Sequence, residues 1–147
     1  MNKHIHIPIA LANINGGNKF PGLTGNVSFF QKRNHTLIEI NISGLPDSKT
    51  GFFAFHIHEG NFCTGTDFSD TGAHYNPKDL PHPEHPGDLP PIIRCNGGAY
   101  QVVATDRFKV ADVIGRTVVI HDMPDDFTSQ PSGNAGTKIA CGVIMKT

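Results

Sequence analysis

Nine histidines stand among 147 residues, and two of them sit two positions apart in "FHIHE", at His56 and His58. In an extended chain, residues i and i+2 project from the same face. His56 and His58 would then stand side by side, with Phe53, Phe55 and Ile57 on the opposite face, which suits a core. Two imidazoles at that spacing can chelate one metal ion from a stiff backbone. The same parity holds in "TVVIH", where Val118 and Ile120 face one way and His121 the other. A further group lies in "GAHYNPKDLPHPEHPGD". His74, His82, His85 and Asp88 supply three imidazoles and a carboxylate, a donor set suited to tetrahedral zinc. Prolines at 77, 81, 83 and 86 restrict this loop and lower the entropy cost of closing it on an ion. A His-x-His pair by itself is more often a structural or surface feature. Seven donors with matching strand parity point to a metal site.

The elements that must position these side chains read as strands. Alternation of period two recurs. In "HIHIPIAL" it places Ile5, Ile7 and Ile9 on one face and His4 and His6 on the polar face. "TGNVSFFQK" and "TLIEINIS" flank "RNH", which reads as a hairpin turn with His35 solvated. "FFAFHIHE", "AYQVVAT", "GRTVVIH" and "KIACGVI" complete the set. No segment carries a helical stripe of useful length. Many short strands separated by turns argue for an all-β antiparallel sandwich or barrel. Residues 60–91 and 122–137 resist strand assignment, and long irregular loops in a compact domain are usually functional. No repeat or linker divides the chain, so residues 1–147 read as one domain.

Composition narrows the function. The net charge of −1 gives no general attraction to nucleic acid or anionic membrane. No apolar run approaches the roughly 20 residues that span a bilayer. "MNKHIHIPIAL" does not read as a signal peptide. The expectation is a cytoplasmic protein, or a secreted or periplasmic one if a leader has been removed. Three cysteines, Cys63, Cys95 and Cys141, permit one disulfide and one free thiol. Removal of Met1 would leave Asn-Lys-His as an amino-terminal copper chelate, a minor reading because asparagine disfavours that removal.

"FHIHE", "GAHYNP", "HPGDLP", "IGRTVVIH", "DD" at 125–126 and "GNAGTKIACGVI" occur in an order that resembles the copper/zinc superoxide dismutases. The resemblance is dense from about residue 51 to 145 and diffuse before that. It implies an eight-stranded antiparallel Greek-key β-barrel, laid out as an immunoglobulin-like sandwich, with two long functional loops. It implies copper ligands at His56, His58 and His121, and His74 as an imidazole shared by copper and zinc. His82, His85 and Asp88 would complete the zinc site. Asp125 would hold His56 and His82 by their second ring nitrogens. Cys63 and Cys141 would form the disulfide and Cys95 would stay free. The implied activity is dismutation of superoxide to dioxygen and hydrogen peroxide, with catalytic roles for His74 and Lys138 and a possible homodimer.

Three departures from the family pattern bear on that expectation. Lys138 stands where the family usually has arginine, keeping the charge but losing the planar fork. Residues 122–137 carry Asp122, Asp125 and Asp126 and no lysine or arginine, so electrostatic guidance of the anion should be weak. Arg94 or Arg116 would have to contribute from elsewhere. The spacing is also altered: short between His82 and His85, long between Cys63 and His74. The rival readings are a copper or zinc store or carrier with little turnover, and a structural zinc domain whose copper positions are idle.

Overall fold

The computed structural model describes residues 7–147. The readings of Ile5, His4, His6 and the amino-terminal chelate fall outside the described residues. Eight strands form one antiparallel sheet: β1 (Ala10–Gly16), β2 (Thr24–Gln31), β3 (Thr36–Ser43), β4 (Phe52–His58), β5 (Asp88–Ile93), β6 (Ala99–Thr105), β7 (Thr117–His121) and β8 (Lys138–Lys146). Their order across the sheet is β5-β4-β7-β8-β1-β2-β3-β6. The chain therefore crosses the barrel between β3 and β4 and again between β6 and β7, a Greek-key path. Strands β5 and β6 face each other across a seam. It is bridged by one side chain: Gln101 accepts from the Ile93 N–H (2.6 Å) and donates to the Pro91 carbonyl (3.3 Å).

Alternating residues fill the interior. Ala10, Ala12 and Ile14, Val27 and Phe29, Ile38, Ile40 and Ile42, Phe53, Phe55 and Ile57, and Val118 and Ile120 form one buried apolar cluster. Phe53, Phe55 and Ile57 are fully inaccessible, as the parity of "FFAFHIHE" requires. Burying such a side chain stabilises the fold by about 1.5–3 kcal/mol.

Two sequence expectations need correction. Among the described residues the first strand begins at Ala10, and Ile7 and Ile9, expected on its inner face, are exposed. Strand β1 turns Ala10, Ala12 and Ile14 of "ALANING" into the core. Strand β5, "DLPPII", was hidden in the stretch assigned as irregular. Pro90 and Pro91 cannot donate to a ladder, and at the sheet edge, where β5 lies, that loss is tolerated. The register against β4 shifts between Phe53 and Phe55, and the Ala54 N–H bonds to the Met123 carbonyl instead. As expected, no long helix interrupts the strands among the described residues: a 3-10 turn at Thr66–Thr71 and a four-residue helix, α1 (Val110–Val113), are the helical segments, and α1 packs Val110 and Val113 into the core.

Candidate metal centre

The outer face of β4 carries His56 and His58, and both are buried. What buries them is the two irregular stretches. Residues 71–75 run antiparallel to the end of β4: the Gly60 N–H bonds to the Thr71 carbonyl, Glu59 N–H to Ala73, and Tyr75 N–H to Ile57. His58 and His74 thereby become bridge partners. The Gly87 N–H bonds back to the Tyr75 carbonyl, and Ile57 N–H bonds to Gly87, which returns the loop to the barrel just before Asp88. Strand β7 delivers His121 from beside β4. A register shift after Ile120 makes Lys138 the cross-strand neighbour of His121.

Two groups of four donors result. Ligand atoms of His56, His58, His74 and His121 lie within 4.8 Å of one another, and so do those of His74, His82, His85 and Asp88. His74 belongs to both. The narrow spacing of His82 and His85 does not prevent the second group from closing. In it, His74 Nδ1 lies 2.7 Å from Asp88 Oδ1, and His82 Nδ1 and His85 Nδ1 lie 3.0 and 3.1 Å from Asp88 Oδ2.

Oxygen partners decide which ring nitrogen points inward. Asp125 takes His56 Nε2 on one oxygen and His82 Nε2 on the other, each at 2.8 Å. It is itself fixed by the Phe127 N–H. His58 Nδ1–H donates to the Gly72 carbonyl at 2.8 Å. The opposite nitrogens are then left bare. His56 Nδ1, His82 Nδ1 and His74 Nε2 are buried without a hydrogen bond, and His58 Nε2 faces His121 Nε2 at 3.2 Å. Buried nitrogens oriented toward one another without protein donors are costly unless a cation lies between them. The donor chemistry fits: an all-imidazole group suits copper, and three imidazoles with a carboxylate suit zinc.

The electrostatics follow from burial. Desolvation lowers the pKa of His56, lowers that of His58 well below its usual value, and brings His121 to about 3, with neighbouring histidines adding to the effect. These imidazoles are neutral at pH 7, as ligands must be. Burial pushes the Asp125 and Asp88 carboxyls up, but hydrogen bonds from His56 and His82 to Asp125, and from His74 to Asp88, outweigh it and hold both low.

A cavity of about 440 Å³ opens over His58, His74 and His121, with Lys138, Glu59 and Asp79 among its lining residues. Lys138 Nζ donates to Thr71 Oγ1 (2.8 Å) and the Gly72 carbonyl (3.1 Å), so the long Cys63–His74 segment builds the seat of the site's cation. Arg94 and Arg116 do not line this cavity. Arg94 pairs with Asp47, while Arg116 donates to the Glu59 carbonyl and stacks over Tyr75. Cys63 and Cys141 form a disulfide and Cys95 is free. Sequence reasoning missed Thr71, and also Arg107, which donates to the Pro83 and His85 carbonyls. Neither carries a signal, because each acts at backbone atoms far away in the chain.

The family model for copper/zinc superoxide dismutase matches residues 23–144. The chain belongs to the copper/zinc superoxide dismutase family. Superoxide dismutase [Cu-Zn] 2 of Aquifex aeolicus is 36% identical over 135 residues, covering 82% of this chain and 78% of that protein. The extracellular superoxide dismutase of Rattus norvegicus is 35% identical, covering 84% of this chain but only 55% of the rat protein. Among solved structures, a double mutant of a SOD-like protein from Bacillus subtilis, with a tyrosine and a proline replaced by histidine, superposes with a TM-score of 0.78 at 25% identity, covering 92% of this chain and 96% of that one. Copper and zinc are the metals of this superoxide dismutase family, and the two histidine groups are able to hold metal ions.

Proposed function

We propose that the protein is a superoxide dismutase in which His56, His58, His74 and His121 hold copper, and His74, His82, His85 and Asp88 hold zinc. The observation that carries this is the shared ring: one imidazole belongs to an all-histidine group on one side and to a His/Asp group on the other. Copper held there would supply one-electron redox chemistry suited to superoxide, and zinc would supply charge without redox change.

The chain's residues do the rest. Lys138 draws the anion into the cavity and orients it. Its two anchoring bonds to Thr71 and Gly72 fix where the charge sits. His74 Nδ1 is held beside Asp88, which leaves Nε2 as the nitrogen able to hold the proton that the reduced product requires. Asp125 locks two rings with one carboxylate, so both groups keep their geometry together. In sum, two superoxides and two protons become one dioxygen and one hydrogen peroxide.

The test is superoxide consumption after full loading with copper and zinc. The expected rate far exceeds that of free copper chelates; a rate no better would favour a metal store or carrier. That second reading draws on Lys138, on the acidic lining residues Glu59 and Asp79, and on the Bacillus subtilis neighbour being described as SOD-like. One zinc and no copper per chain, in protein made with copper supplied, would instead indicate a structural zinc domain. No helix among the described residues is long and apolar enough to cross a membrane. Extracellular relatives in Rattus norvegicus and Drosophila melanogaster, together with the disulfide, support the secreted alternative.

A further inference from the structure

Two side chains of residues 122–137 hydrogen-bond to the second donor group. One contact is Asp125. The other involves no ionisable group. Gln130 lies 48 positions from His82, and its side-chain amide meets that residue's backbone at both ends. Gln130 Oε1 accepts the His82 N–H at 2.9 Å, and Gln130 Nε2 donates to the His82 carbonyl at 2.6 Å. A primary amide carries an acceptor and a donor side by side on one planar group, so it can satisfy an N–H and a C=O of the same residue at once.

The clamp fixes more than His82. Pro131 and Ser132, the next two residues, line the cavity over His58, His74 and His121. Gly133, at φ 73°, packs directly on the Asp125–His82 contact: an added Cβ there would lie 2.6 Å from His82 Nε2 and would collide with Asp125 Oδ1. The Gly133 N–H returns to the Ser129 carbonyl at 2.7 Å, and the Ser129 N–H to Asp126 Oδ1 at 2.8 Å. The rim of the cavity is thus seated on the backbone of a residue that belongs to the other donor group.

We infer that Gln130 is a positioning residue that couples zinc binding at His74, His82, His85 and Asp88 to the order of the cavity rim at 129–133. This rests on the assignment of that group to zinc. Linkage makes the coupling reciprocal: whatever factor the clamp adds to zinc affinity, zinc adds to the stability of the clamped rim. Partners one step removed from a metal typically carry 10–100-fold in affinity.

The experiment compares the parent chain with Gln130→Ala and Gln130→Glu, using zinc against a competing chelator and cobalt(II) as the coloured replacement. Gln130 is exposed, so both variants are expected to fold. Zinc affinity should fall about 10-fold or more in Gln130→Ala. It should fall less in Gln130→Glu, which keeps the acceptor for the His82 N–H. The visible bands of bound cobalt should shift in Gln130→Ala, a change that mere loss of stability would not produce. Hydrogen exchange at the His82, Ser129 and Gly133 amides should slow on zinc addition in the parent and much less in Gln130→Ala. Unchanged affinity, or equal zinc-induced slowing in parent and variant, would overturn the inference while leaving the zinc assignment standing. A parent chain that binds no zinc would overturn both.

Discussion

Lys138 has three N–H donors, and Thr71 and Gly72 engage two of them. One is left for an incoming anion, where the planar fork of arginine would present a pair. Lys138→Arg is therefore expected to raise kcat/KM for superoxide by up to about 10-fold, since one oriented hydrogen bond is worth about 1–1.5 kcal/mol. Pulse radiolysis of fully metallated protein checks it, and a fall in rate would show that the lysine geometry is already the better one. Asp125 offers a second test at this scale. It alone orients both His56 and His82, so Asp125→Ala should weaken metal binding at both groups by about 10–100-fold. Loss at only one would mean that the other ring is held by its packing. The remaining acids of this segment do not act as free charges. Asp122 accepts from the Thr137 N–H, and Asp126 accepts from the Ser129 hydroxyl and from the Ser129 and Thr128 N–H groups, bonds that lower its pKa to about 2.

At the scale of elements, the strands that carry the site were the most legible part of the sequence. In "FHIH" the core residues Phe55 and Ile57 alternate with His56 and His58, as period two requires, and in "VVIH" the imidazole follows the core residue Ile120 at the strand end. The donor residues were legible for the same reason: imidazole and carboxylate types are few, and backbone period constrains where they point. What sequence could not show is how the loops come home. Strand β5 is disguised by two prolines, and the 71–75 segment pairs with β4 through backbone atoms that leave no trace in residue type. The disulfide acts on this same arrangement, tying the metal loop at Cys63 to β8 at Cys141 across 78 positions. In the chain-entropy model a closure of that size stabilises by about 4–5 kcal/mol. Reduction should therefore lower the denaturant midpoint of the metal-free protein substantially. Because the link also holds the segment that carries Thr71, reduction should free Lys138 to move, detectable as faster amide exchange at Thr71 and Gly72.

For the molecule as a whole, three buried imidazoles and two hydrogen-bonded carboxylates make acid the natural denaturant. His121 titrates near 3 when folded against a usual value of 6.5, and His56 and His58 are lowered too. Between those limits the unfolded chain binds protons that the folded chain does not, so stability rises with pH and is lost on acidification. Each such group contributes about 1.4 kcal/mol per pH unit inside its window. The carboxyls of Asp88 and Asp125, held low, extend the loss below about pH 4. Thermal unfolding of metal-free protein at pH 7, 5 and 4 should show a steadily falling Tm, and a flat profile would contradict the burial argument. The charge around the cavity gives a companion expectation: with Glu59 and Asp79 beside Lys138, the rate should depend only shallowly on ionic strength. Finally, the Gln101 bridge carries a consequence for solubility. An open margin of a β-sheet is a template on which a foreign chain can polymerise. Here one amide occupies the Ile93 N–H and the Pro91 carbonyl, and the prolines of β5 withhold two further donors that such a chain would seek. Gln101→Leu should leave the metal sites intact yet nucleate fibrils on storage, visible by light scattering and thioflavin fluorescence.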